Sequence, residues 1–117
     1  MNATRFARLA CGLLVGIAVA GHAAPRAGVP ASIDTSRQIE IRSFAFVPKQ
    51  LVVPTGTRVR WTNRDEEPHI VVSAGKGFVS SPALDTDDTY VVTFAKPGTY
   101  AYYCSIHPFM VGTIVVQ

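Results

Sequence analysis

Turn-forming residues cut this chain into short segments, and that punctuation limits the fold more than any other feature. Pro54-Thr55-Gly56, Gly75-Lys76-Gly77 and Pro97-Gly98 are turn signals. Proline presets φ there, and glycine tolerates the left-handed backbone of tight turns. The runs between them are rich in β-branched and aromatic residues: Leu51 to Val53, His69 to Ser73, Tyr90 to Phe94, Thr99 to Cys104 and Gly112 to Val116. Ile39 to Arg42 and Thr57 to Thr62 alternate apolar and polar residues, the period of a half-buried strand. No segment carries an amphipathic helical period, and no internal repeat is visible. Seven or eight short strands at this spacing predict an all-β antiparallel sandwich or barrel. Within it, Val59 and Trp61 share one face and Arg58 and Arg60 the other. Tyr100, Tyr102 and Cys104 also share a face, so an inward Cys104 buries both tyrosines and turns Tyr103 outward.

The N-terminus reads as export machinery rather than fold. Arg5 and Arg8 precede an apolar run from Leu9 to Ala20, and small residues follow it, the pattern of a secretory signal peptide. The run is shorter than the roughly 20 residues that span a bilayer. Cleavage after Ala23 places Gly21 and Ala23 at the small-residue subsites, so residues 1–23 are assigned to the signal. Ala20 is an earlier possible site, and Ala24 is disfavoured by Pro25. Residues 24–36 are Pro/Ala/Ser-rich and read as a flexible lead-in, and residues 37–117 as the folded domain. The expected location is the periplasm.

Removing the leader changes the charge and the cysteine count. The formal net charge of +3 includes Arg5 and Arg8, and the mature chain keeps nine Lys and Arg against eight Asp and Glu. No basic cluster points to nucleic acid. Cys11 leaves with the signal, so Cys104 has no internal disulfide partner. It is a free thiol, an intermolecular link, a small buried hydrophobe or a metal ligand.

Its neighbours favour a ligand. Cys104-Ser105-Ile106-His107-Pro108-Phe109-Met110 offers a thiolate, an imidazole and a thioether on one loop, and His69 supplies a second imidazole 35 residues upstream. Two His and one Cys in a trigonal set, with a weak axial Met, make a mononuclear blue-copper electron-transfer site. Thiolate and thioether favour Cu(I), while imidazoles also suit Cu(II). A fixed set between those preferences lets one copper ion cycle with little rearrangement. Zinc is the competing metal, but its structural sites take several cysteines in paired spacing. A catalytic Cys/His pair lacks an evident oxyanion or orienting group. The expected metal ligands are therefore His69, Cys104, His107 and Met110.

Phe46-x-Pro48, Leu51-x-Val53, Gly56, Val59-x-Trp61-x-Asn63, Pro68-His69, Pro97-Gly98-Thr99-Tyr100 and Cys104-x-x-His107-x-x-Met110 together resemble the cupredoxins over residues 39 to 117. Two residues between His107 and Met110 make the short ligand loop, which is similar to amicyanin; plastocyanins and pseudoazurins carry a longer gap. The resemblance implies an eight-stranded Greek-key sandwich, one type 1 copper and one-electron transfer. It also implies that the Asn63 side chain ties the His69 loop to the Cys104 loop. Ile70 stands where many members carry Asn, so a hydrogen bond from that side chain is lost. Ser105 retains the hydroxyl of the Thr that amicyanins tend to carry.

No charged side chain occurs from Pro97 to Gln117. Ile106, Pro108, Phe109 and Val111 would give His107 an apolar rim, the kind of patch on which a transient redox partner docks. By resemblance, the electron passes through the exposed edge of His107, and Tyr103 is a second route. Asp65-Glu66-Glu67 is either a contact for a basic partner or an ordinary solvated turn. An amicyanin-like loop implies a quinoprotein amine dehydrogenase as donor and a c-type cytochrome as acceptor. The expected protein is a monomeric carrier and not an enzyme, since a multicopper oxidase or copper nitrite reductase needs further His pairs. A copper-binding or trafficking protein is the alternative.

Overall fold

The computed structural model describes Gly12, residues 16–23, Gly28 and residues 34–117. The expected signal peptide and lead-in therefore lie largely outside the described residues. The chain divides into two compact units, Met1–Ala31 and Ser32–Gln117, and the fold below is that of the second. No helix among the described residues is long and apolar enough to cross a membrane.

Eight strands follow in order: β1 (Arg37–Arg42), β2 (Ala45–Val47), β3 (Gln50–Val53), β4 (Thr57–Asn63), β5 (Val72–Ser73), β6 (Thr89–Phe94), β7 (Gly98–Tyr103) and β8 (Val111–Val116). They form two four-stranded sheets, β2-β1-β4-β6 and β3-β8-β7-β5. The all-β class and strand count agree with expectation. The pairing is not wholly antiparallel, however. β1 lies parallel to β4 and β3 parallel to β8. In both pairs the chain leaves the sheet and returns before the partner strand, which is how parallel neighbours must be connected. Strand periodicity is the same for either sense, so it could not show this.

Alternation places the core as read. Val59 and Trp61 on β4 are fully buried, together with Ile39 and Ile41 on β1 and Ile114 and Val116 on β8. Trp61 is the hub between the sheets: its ring meets Tyr102 edge-on at 5.4 Å and stacks on Phe78 at 5.9 Å. Phe46, from the short β2, also meets Tyr102, at 4.7 Å. Edge-on pairs of this kind contribute roughly 0.5–1.5 kcal/mol beyond the area they bury. Tyr100 is half-buried against the same cluster. Tyr103 lies on the face opposite the buried Tyr102, as alternation places it, and is half-buried there between its cross-strand partners Val72 and Val111.

Tyr102 constrains its surroundings in two ways. A Cβ placed on Gly112 of β8 would lie 2.3 Å from the ring and 2.4 Å from the hydroxyl oxygen, so the ring occupies the space a side chain there would fill. Gly112→Ala is expected to destabilise the domain by about 1–3 kcal/mol, read from the urea midpoint. Burial also pushes the Tyr102 phenol up to about 12 from 10.0. The folded state thus holds a proton that the unfolded chain releases above about pH 10. Its contribution is complete below pH 10 and disappears as pH rises toward 12. At about 1.4 kcal/mol per unit the loss is on the order of 2–3 kcal/mol. Since the hydroxyl has no hydrogen-bond partner among the described residues, Tyr102→Phe should be at least as stable at pH 8 and lose less above pH 10. Denaturant melts from pH 8 to 12 measure both effects.

Candidate metal centre

At one end of the sandwich, two separated segments converge. Cys104 follows the last residue of β7 and Met110 precedes the first of β8. The Cys104 amide donates to the Met110 carbonyl at 3.0 Å, and the Met110 amide donates to the His107 carbonyl at 2.9 Å. These bonds close the loop into a tight turn, with Cys104 and Met110 buried and His107 half-exposed.

His69 comes from the segment between β4 and β5. It was expected to begin a strand; instead it forms an isolated bridge with Leu84, exchanging backbone hydrogen bonds of 3.1 and 2.8 Å, and β5 starts only at Val72. Its side chain is 0% exposed. A histidine buried this completely needs a partner for each ring nitrogen. Nε2 lies 2.9 Å from Asp65 Oδ2. Burial alone would raise the Asp65 carboxyl, but hydrogen bonds from the Phe44 and Ser43 amides and from the His69 ring hold it below the usual carboxylate range. An ionised carboxylate only accepts hydrogen bonds, so Nε2 carries the proton and Nδ1 presents its lone pair to the site. Such a partner fixes both tautomer and ring orientation.

The His69 Nδ1, Cys104 Sγ and His107 Nδ1 atoms face one another. The two nitrogens are 3.2 Å apart, and the sulfur lies 3.8 Å from His69 and 3.9 Å from His107. A triangle with those sides has its corners about 2.1 Å from a common centre. Nitrogen and thiolate ligands keep about 2.0–2.3 Å from a d-block ion such as zinc, so the donor set fits one metal ion. These are the three residues that cluster with metal-holding geometry among the described residues. The Ile70 amide also donates to Cys104 Sγ at 3.5 Å, so the backbone at this position reaches the sulfur although its side chain cannot.

Three findings correct or extend the sequence reading. Asn63 does not tie the His69 loop to the Cys104 loop. Its amide nitrogen donates to the Glu67 and Leu84 carbonyls at 2.8 and 2.9 Å, and its oxygen accepts from the Asp65 amide at 2.9 Å. It therefore braces the His69 loop against the Leu84 segment. Asp65 is not a surface charge, for its side chain is 10% exposed and turned toward His69, while Glu66 and Glu67 remain exposed. The clue available beforehand was the i, i+4 spacing of Asp65 and His69, which means little until the loop is known to be compact.

Phe44 gave no sequence signal at all. Ser43 and Phe44 form the two-residue turn of the β1–β2 hairpin, with φ of 50° and 56°. That is the left-handed region which two-residue hairpin loops require, and it costs non-glycine residues roughly 1–2 kcal/mol each. Asp65 secures the turn by accepting from both amides, at 2.6 Å from Ser43 and 3.0 Å from Phe44. The Phe44 ring thereby meets His69 at 5.5 Å and His107 at 5.0 Å, nearly perpendicular to each.

A family model for the cupredoxin-like domain matches residues 10–116. The chain belongs to the cupredoxin-like family. This cupredoxin is 38% identical to amicyanin-alpha of Methylorubrum extorquens over 86 residues, 70% of this chain and 72% of that protein. It is 29% identical to amicyanin of Paracoccus denitrificans over 121 residues, 93% of this chain and 92% of the other. Plastocyanin of Chlamydomonas reinhardtii is 36% identical over 87 residues, 64% of this chain and 60% of the relative. Among solved structures, the Cu(I) form of an amicyanin mutant superposes with a TM-score of 0.69 at 32% identity, covering 72% of this chain and 84% of that one. A purple cupredoxin from Nitrosopumilus maritimus gives 0.64 at 36% identity, covering 70% of this chain and all of the other. The sequence resemblance to cupredoxins, with its amicyanin-like loop, is thus upheld.

Asn63 offers a direct test of how the site is braced. Asn63→Ala removes three hydrogen bonds, one buried and two half-buried, and takes from the Glu67 carbonyl its side-chain donor, while the Leu84 carbonyl keeps the bond from the His69 amide. It should lower the unfolding free energy of the metal-free protein by about 2–4 kcal/mol, measured by urea titration.

Proposed function

We propose that this cupredoxin is an exported one-electron carrier holding one type 1 copper ion through His69, Cys104, His107 and Met110. The observation that carries the reading is the donor triangle of two imidazole nitrogens and one cysteine sulfur around a common centre. When bound, copper supplies the Cu(I)/Cu(II) couple. Cys104 contributes the thiolate, steadied by the Ile70 amide. His69 contributes a lone pair whose direction Asp65 sets. Met110, buried at the end of the loop, would complete the proposed set with a thioether, a weak ligand. The names of the relatives support copper over zinc, since one of the similar solved structures is a Cu(I) form.

His107 is the way in and out. It is half-exposed, and Ile106, Pro108, Phe109 and Val111 around it are exposed and apolar. We assign this rim to docking of transient redox partners, a dehydrogenase donor and a c-type cytochrome acceptor being the pair implied by the amicyanin-like loop. The mature protein is proposed to begin after Ala23, to act in the periplasm as a monomer and to catalyse no reaction of its own. Copper delivery is the second reading. The complete burial of Cys104 and His69 favours a carrier, because a site that passes metal onward needs ligands within a partner's reach.

Loading the purified mature domain with Cu(II) tests this. An intense thiolate-to-copper absorption band with the matching EPR signal is expected, and Cys104→Ala should abolish both. A colourless complex, or a blue one that does not cycle with a redox partner, would favour zinc binding or copper handling. Met110→Leu should keep the colour and raise the reduction potential, since the axial ligand tunes it; an unchanged potential would remove Met110 from the ligand set.

A further inference from the structure

The two imidazoles of the site are held by different means. His69 is buried and its Nε2 is bonded to Asp65. His107 is half-exposed, and among the described residues its Nε2 makes no hydrogen bond; beyond the Nδ1 contacts with His69 and Cys104, its ring is oriented by aromatic neighbours. Phe109 is one, but it is 72% exposed, 6.2 Å away and tilted. Phe44 is nearer, at 5.0 Å and 89°, and touches both histidines.

The placement of Phe44 has a second peculiarity. It fills the last position of a two-residue hairpin turn whose backbone favours glycine, because φ there is 56°. A bulky residue in that conformation marks a site where surrounding contacts have overruled local preference. The contacts are visible: Asp65 holds the turn by the amides of Ser43 and Phe44, and the same carboxylate oxygen that accepts from Phe44 also accepts from the His69 ring.

We propose that Phe44 is a positioning residue for the metal centre, a strained aromatic brace from the β1–β2 turn that fixes the His107 ring in the donor triangle. The role rests on the copper reading above but not on any electron-transfer partner. With Asp65 shared between the turn and His69, the brace and the buried ligand are set by one carboxylate, so both imidazoles keep their relation to Cys104 as the oxidation state changes. Phe44 itself donates nothing to the metal.

Phe44→Gly is the informative variant, because glycine suits the turn and removes only the ring. Two measurements are made at fixed pH, with Phe109→Ala as the comparison. In the metal-free protein, nitrogen-15 NMR follows exchange broadening of the His107 ring, which should increase in Phe44→Gly while backbone shifts of β1 and β4 stay in place. In the Cu(I)-loaded protein, extraction by a Cu(I) chelator should become roughly two- to tenfold faster, the range expected for losing an edge-on aromatic pair. Phe109→Ala should change both quantities less. Phe44→Leu, which keeps apolar bulk without a ring, should also broaden the His107 signals. Unchanged ring exchange in Phe44→Gly and Phe44→Leu, or a larger effect from Phe109→Ala, would overturn the proposal. Absence of a blue Cu(II) form in the unsubstituted protein would instead sink the copper reading, and the metal-free NMR result would still decide the brace.

Discussion

The metal end depends on the pairing of Asp65 with His69. A fully buried imidazole can present a lone pair at one nitrogen only if the other nitrogen has somewhere to put its proton. Asp65 provides that place, and it remains ionised because two backbone amides also donate to it. Remove the carboxylate and the His69 tautomer, the ring direction and the hairpin turn all lose their common anchor. The bridge to Leu84 and the Asn63 side chain then fix the loop that carries both residues.

Against this rigid half, the loop from Cys104 to Met110 brings the remaining donors. It is short enough for two backbone hydrogen bonds to close it, so Cys104 and His107 have little freedom relative to each other. The sandwich supplies the rest of the restraint, since Cys104 and Met110 sit at the ends of two adjacent strands, β7 and β8, whose register is set by six residue pairs. A ligand cage assembled from separate elements suits a metal whose oxidation states prefer different surroundings, because neither state can pull the donors far from a compromise. The exposed apolar residues around His107 lie on the same loop, so the half-exposed histidine is also central to that apolar face.

Much of this was readable beforehand. Cys104, His107 and Met110 are legible as a group because their spacing is local. His69 became legible only beside them, since a solitary histidine at the start of an apolar run has ordinary structural explanations. Strand alternation located Val59 and Trp61 in the core, because the period of two is a local property. Asp65, Phe44 and the true partners of Asn63 were not legible. Each acts across the fold: Asp65 reaches Ser43 and Phe44, Phe44 reaches His107, and Asn63 reaches Leu84. The parallel pairing of β1 with β4 and of β3 with β8 was hidden for the same reason, as alternation records which face a residue occupies and not which strand lies beside it.

The amino-acid sequence by itself determined the all-β class, the short Cys104–Met110 loop and the chemical identity of the proposed donors, all of which follow from residue type and spacing along the chain. Only the tertiary structure decided how those donors are aimed. It turned an apparent surface acid into the group that orients His69, and it set an unremarked phenylalanine against both imidazoles. The physical reason is that direction in a metal site comes from hydrogen bonds and packing between segments far apart in sequence, and such contacts exist only once both sheets have closed around the core.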